Sequence, residues 1–163
     1  MLNGQPEALL LDRLPSVARE RGWLKVRGRQ GTDSTHILAA VRDLNRLELA
    51  GETVRCALNR LAEAVPEWLR GCVAVEWFER NGRRVEYFRL PKGDDAQRTW
   101  VEQVGRDGVQ LLQACYAAGA PAPIRHLPAV ECLRRIWVQQ FAWADDQLRW
   151  RTAKELPPGA RLI

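Results

Sequence analysis

Asp33 lies in the run Gln30 to Leu38, QGTDSTHIL, between a basic lead-in and a long helical pattern. Chemistry in this chain starts with that carboxylate. An Asp at the end of a short extended segment can point into a cleft and hold a hard divalent cation, which prefers oxygen ligands. One carboxylate is not a metal site, and the same residues have a structural use. Asp33, Ser34 or Thr35 can cap the helix that follows, because their oxygens accept from unpaired N-terminal backbone N–H groups. Capping is the commoner use of these residue types. Asp33 with His36 as an acid/base pair is a competing chemical reading, but that spacing brings no nucleophile or second base with it. Leading into Asp33, WLKVRGRQG alternates so that Lys25, Arg27 and Arg29 share one side of an extended segment. Such a stripe contacts phosphate, or equally protects a solvated edge strand from aggregation.

Other candidates read more simply. Trp77, Phe78, Tyr87 and Phe88 flank Asn81-Gly82. They could stack on bases as in single-strand binders, although aromatics near a turn are more often core residues, because burying them is worth so much. His126 has no nearby Cys or second His and reads as structural. Asp145-Asp146 could bind a cation but reads as a turn. Cys56, Cys72, Cys115 and Cys132 form no C-x-x-C pair, which argues against a zinc or redox motif and for reduced, mostly buried thiols.

The elements that must position these residues follow from periodicity. The 163 residues are 46% hydrophobic and 28% charged, sized for one core. An excess of 25 Lys+Arg over 20 Asp+Glu and a pI near 9.4 permit a polyanionic partner without demanding one. No apolar run approaches the roughly 18 residues that span a bilayer, and MLNGQPEALL is not a signal peptide, so no membrane partner and a cytoplasmic location are expected.

From Pro6 to about Arg21 a helix is expected, kinked near Leu14 by Pro15. A short strand follows from Val26 to Thr35. From Ile37, Val41, Leu44, Leu47, Val54, Leu58, Leu61 and Val65 keep helical spacing as far as Pro66, as one long helix or two joined at Gly51. Arg42, Arg46, Arg55 and Arg60 are expected on its outer face. Asn81-Gly82 between aromatic and β-branched runs predicts a hairpin near 73–90. Helices are expected over Asp94 to Ala118, interrupted at Asp107-Gly108, and over Pro128 to about Trp143. Strand-like alternation resumes at 148 and stops at Ile163 after an apolar pair, as a sequence cut short would.

The segments TDSTHILAAVRDLNRLELAGETVRCALNRL, LPAVECLRRIWVQQF and LRWRTAKELPPGARLI together resemble DDE transposases of bacterial insertion sequences. The resemblance covers about Glu7 to Ile163. It implies a ribonuclease H-like catalytic domain in which two aspartates and a glutamate hold two Mg2+ ions for DNA cleavage and strand transfer. Asp33 matches the first aspartate, as a catalytic and metal residue. Two such ions, roughly 4 Å apart, activate the attacking oxygen and stabilise the leaving one. By resemblance, the second aspartate and the glutamate belong beyond ARLI, and a helical end-recognition region belongs before EALLLDRL. Pro15 departs from the family's uninterrupted helix.

The expected fold class is mainly α with minor β, a fragment of a ribonuclease H-like α/β domain carrying a largely helical insertion. Residues 1–24 form a helical lead-in, 25–36 the first catalytic strand with Asp33, 37–147 the insertion and 148–163 the start of the next strand region. The expected function is that of a transposase-derived, truncated chain, catalytically inactive by itself. The alternative is a non-catalytic DNA-binding module, using Lys25, Arg27 and Arg29, that interferes with an intact transposase.

Overall fold

A computed structural model of the chain describes residues 33–157. The lead-in helix with its Pro15 kink, the Lys25, Arg27 and Arg29 stripe and the apolar pair before Ile163 lie outside the described residues. The chain divides into two compact units, Met1–Asn45 and Arg46–Ile163. The described residues are mainly helical, with one two-stranded sheet.

Helix α1, Asp33–Ala64, is continuous through Gly51. Its buried positions Leu47, Ala50, Val54, Ala57, Leu58 and Leu61 recur at spacings of three and four, the stripe that an amphipathic helix turns toward a core. Helix interiors disfavour glycine by about 1 kcal/mol, but at Gly51 close approach requires it. A Cβ there would come within 2.5 Å of Val85 and 2.9 Å of Trp100. The expected strand from Val26 to Thr35 is therefore corrected at its end: the chain is helical from Asp33 onward. Asp, Ser and Thr favour the first turn of a helix for the capping reason already given.

Pro66 ends α1. The residue before a proline is pushed out of the helical region, and Val65 has φ −144°. Helix α2, Pro66–Cys72, starts with that proline in its first turn, where no N–H is required.

The hairpin expected near 73–90 does not form. Val75–Asn81 is a helix, α3, followed by a 3-10 turn at Tyr87–Arg89. Gly82 sits at φ −77°, ψ −21°, not in the positive-φ region that an Asn-Gly hairpin turn uses. The competing interaction is visible: Trp77 and Asn81, four apart, are both buried. Asn81 Nδ2 donates to Asp107 Oδ2 at 3.0 Å, so the side chain read as a turn signal is a core hydrogen-bond donor.

Gly93, at φ +92°, turns the chain into α4, Asp94–Tyr116. That conformation suits glycine alone among ordinary residues, and Asp94 and Asp95 in the first turn suit the helix dipole. The helix is not interrupted at Asp107-Gly108. Gly105 and Gly108 are buried, and they leave bare backbone on which large side chains settle. A Cβ on Gly108 would overlap the Trp137 indole, and one on Gly105 would meet Phe141 Cε1 at 2.5 Å. Trp137 Nε1–H donates to the Gly105 carbonyl at 2.8 Å, so the buried indole is satisfied.

Helix α5, Pro128–Gln140, again opens on proline. It stops three residues before the expected end, because Phe141 is extended and 141–144 forms strand β1. Strand β2, Gln147–Trp150, pairs antiparallel with it, Phe141 opposite Trp150 and Ala144 opposite Gln147. Asp145 and Asp146, at φ 50° and 56°, make the two-residue turn. Both central residues at positive φ is the type I′ pattern, which aspartate tolerates and which matches strand twist. The acidic pair is thus a turn, as expected, and the chain's hairpin lies at 141–150.

Asp107, only 3% exposed, accepts from Arg80 Nε at 3.2 Å and Arg80 Nη2 at 3.1 Å. Asn81 and Gln103, the latter at 3.0 Å, complete its shell. Replacing it by alanine frees the half-exposed Arg80 to water but leaves the buried Asn81 amide unpaired, at a cost of roughly 2 kcal/mol. Denaturant unfolding of Asp107→Ala checks this. At Gly108→Ala, overpacking costs about 3 kcal/mol against about 1 kcal/mol returned by helix propensity, so unfolding free energy falls by roughly 2 kcal/mol. Gly71, in α2 with open space around its Cα, is the control: Gly71→Ala leaves stability unchanged or raises it by about 0.5 kcal/mol.

Candidate functional site

Asp33 is the first residue of α1, a first-turn position where a negative charge suits the helix dipole. Lys25, Arg27 and Arg29 lie outside the described residues. Among the described residues, no group of three or more His, Cys, Asp or Glu side chains could hold a metal ion. His126 is exposed at the end of a 3-10 turn, Ala122–His126.

The aromatic set divides. Trp77 is core, as the commoner reading of such residues expects, while Phe78 and Phe88 are exposed. The Arg89 guanidinium lies 5.6 Å from the Phe88 ring centroid. The cysteines are free thiols, but the expectation that most are buried holds only in part: Cys115 is buried, Cys72 half-buried, and Cys56 and Cys132 exposed. Burial, with Cys72 nearby adding to it, pushes the Cys115 thiol up to about 11, so it stays protonated and unreactive at neutral pH.

Arg46 departs from its expected solvated position. Its Nε–H donates to Gln140 Oε1 at 2.8 Å and its Nη2 to the Arg151 carbonyl at 2.6 Å, and its guanidinium lies 4.4 Å over the Trp150 ring. A planar five-donor fork serves an amide, a carbonyl and an aromatic face together. Arg46 thereby joins α1 to the end of α5 and to the segment after β2. Period alone put it outside, because its partners lie 94 and 105 residues away.

The described surface offers one feature that sequence reading missed. Between α4, α5 and the hairpin runs a groove of about 660 Å³. Its apolar lining includes Val109 and Leu112 of α4, Val138 of α5 and Trp143 of β1, beside the buried Trp137, Phe141 and Leu148. Hairpin register explains Trp143: opposite residues share a face, so Trp143 lies with Phe141, Leu148 and Trp150. Phe141 and Leu148 are buried against α4, whereas Trp143 is 63% exposed and Val138 62%. Arg134, Arg149 and Arg151 also line the groove, and no carboxylate does. Half of the signal is legible in the sequence, where LRWRT alternates as a strand does, whereas FAW continues the spacing of the expected helix over Pro128 to about Trp143.

Two of these arginines are held by carboxylates outside the lining. Glu131 accepts from Arg134 at 2.8 and 2.9 Å and from Arg135 at 2.8 Å. Glu155 accepts from Arg149 at 2.7 and 2.9 Å and from the Thr152 backbone N–H and hydroxyl at 2.9 and 3.0 Å. These hydrogen bonds from arginine, led by Arg134 for Glu131 and Arg149 for Glu155, hold each carboxyl down to about 2. Glu52 is different: burial pushes it upward, but hydrogen bonds from Arg55 and the Val85 N–H, with the charges of Arg55 and Arg84, bring it below its ordinary value. A second hollow, about 550 Å³, lies beside Cys56, Arg60 and Pro128, with Arg60 closed onto Glu63 at 2.8 Å.

No protein-family model matches the chain, and neither does any curated protein or solved structure.

A carboxyl depressed in the folded state stabilises it above the unfolded value, and that contribution is lost as pH falls through the folded value. For Glu131 and Glu155 the window runs from 4.5 down to about 2. Carboxyl-carbon NMR titration is expected to find both well below the ordinary range. Arg149→Gln is expected to return Glu155 upward while Glu131 stays where it is.

Proposed function

We propose that the chain belongs to the catalytic region of an insertion-sequence DDE transposase, with a ribonuclease H-like fold of which Asp33 opens the acidic site. The observation that carries the reading is the ordered resemblance of three segments, beginning at TDST and ending at ARLI. In-line phosphoryl transfer with two Mg2+ ions needs several hard oxygen ligands on a shared centre. Within these 163 residues the resemblance matches Asp33 alone. The chain by itself is therefore expected to be catalytically inactive. Asp33 would be one Mg2+ ligand, supplying one of the oxygens that place the cation.

A second reading draws on Lys25, Arg27 and Arg29, whose alternation places three cations on one side of an extended segment beside Asp33. On that reading the chain is a DNA-binding module that competes with an intact transposase for the same polyanion. Phosphate contacts of this type carry no base information, so binding weakens steeply with salt and differs little between sequences.

Both readings meet in one pair of measurements. Purified protein incubated with Mg2+ or Mn2+ and transposon-end DNA is expected to leave the DNA uncut, and cleavage that disappears in Asp33→Ala would restore full catalysis to this chain. Fluorescence anisotropy with duplex DNA is expected to give micromolar affinity, typical of non-specific binding. The Lys25, Arg27 and Arg29 triple alanine variant is expected to lose most of that affinity at low salt. Unchanged binding would reduce the stripe to a solvated edge.

A further inference from the structure

We infer that the groove between α4, α5 and the β1–β2 hairpin docks an amphipathic peptide segment of a partner protein, apolar on one face and flanked by carboxylates. This stands independently of the transposase reading. Three observations converge on that chemistry.

The floor is apolar and open. Trp143 and Val138 expose more than 60% of their surface at its mouth, and Val109 and Leu112 line it one helical turn apart on α4. Exposed aromatic and aliphatic side chains gathered in a concavity are what an amphipathic helix covers when it binds in a groove. Of the three aromatic residues in the lining only Trp143 is exposed, Trp137 and Phe141 being buried, which favours buried aliphatic side chains over a file of stacked bases.

The cations sit on the lining and the acids do not. Arg134, Arg149 and Arg151 line the groove with no Asp or Glu among them, so an incoming acidic flank finds guanidinium groups on the lining itself, with Glu131 and Glu155 set outside it.

The carboxylates that the arginines already hold show which ligand geometry they take. Arg134 and Arg149 each offer two N–H groups to two oxygens of one carboxylate, Glu131 and Glu155. Both pairs are substantially exposed to water, and such pairs are weak and exchangeable. A partner carboxylate replaces Glu155 on Arg149 with the same two hydrogen bonds, while its neighbouring apolar side chains cover Trp143. Glu155 thus acts as an internal competitor, and removing it should strengthen docking.

The test uses the full chain and a fluorescein-labelled helical peptide with leucine and isoleucine on one face and glutamate on both flanks. A peptide with lysine replacing glutamate and an oligo-dT strand serve as comparisons. The glutamate peptide is expected to bind, with Trp143→Ala weakening it about tenfold or more, as loss of an aromatic anchor does. Glu155→Gln is expected to tighten it about two- to fivefold, the range of an exposed pair's competition. Trp143 is exposed, so its variant should melt like the parent protein; Val138→Glu, an added like charge in the floor, should also abolish binding. Equal binding of the lysine peptide, unchanged binding by Trp143→Ala, or preferential capture of oligo-dT would each overturn the proposal. So would a dimer, seen by sedimentation without peptide, that Trp143→Ala dissociates.

Discussion

The close approach of Trp137 to the bare backbone of α4 is the constraint from which the arrangement of the second half of the chain follows. An indole can lie this close to a helix backbone only where the helix presents no Cβ, and Gly108 is such a place, since a Cβ there would come within 2.2 Å of the ring. The same approach brings Nε1–H within 2.8 Å of the Gly105 carbonyl, so the polar edge of the largest side chain is satisfied as its apolar body is buried. One turn further along, Phe141 enters the space over Gly105 and meets Trp137 at a centroid distance of 5.0 Å. Since Phe141 is also the first residue of β1, the glycine pair on α4 determines where the hairpin is laid, and Leu148 of β2 closes over Gly105 from the other strand. The price of two glycines in a helix is modest beside the burial they allow.

Across α4, the residue between those glycines does a different job. Asp107 is almost wholly buried, and its oxygens accept four hydrogen bonds from Arg80, Asn81 and Gln103. A buried carboxylate is tolerated only when it is paired and saturated in this way. Three of those bonds come from α3, so the acid anchors a helix of seven residues that is too short to persist by propensity alone. The run Gly105-Arg106-Asp107-Gly108 thus sets neighbours on more than one side of α4. Arg46 closes the assembly from α1 by engaging Gln140 and the Arg151 carbonyl, groups at the two ends of the segment that holds the hairpin.

Legibility from sequence divides along physical lines. Long amphipathic stretches were readable because period 3.6 is repeated many times over: the buried face of α1 is the one that Leu44, Leu47, Val54, Leu58 and Leu61 announce, Pro66 marks its end, and Pro128 marks a helix start. What failed was short and decided at a distance. Asn81-Gly82 carries a strong local turn preference, overridden because Asn81 finds a buried partner 26 residues later. The hairpin at 141–150 was missed because its first strand has only four residues and continues the helical spacing of α5. Its turn was nevertheless legible as a turn, Asp145-Asp146 being able to occupy positive φ. The interruption expected at Gly108 reflected local propensity, whereas the structure uses that glycine for packing. The groove could not be read at all, since its lining comes from α4, α5 and both strands, and no single segment carries its pattern.

The candidate chemistry and the described surface have different physical requirements. Holding a divalent cation needs several oxygens converging on one point, and Asp33, in the unit Met1–Asn45, is the residue that the sequence offers for that. The groove, in the unit Arg46–Ile163, offers apolar area and guanidinium forks instead, with no carboxylate in its lining to hold a cation. Two of its three arginines, Arg134 and Arg149, are already matched to carboxylates, so the field near the groove is weaker than three arginines alone would make it. Contact within the groove depends on shape and apolar burial, with charge deciding only which flank chemistry is accepted.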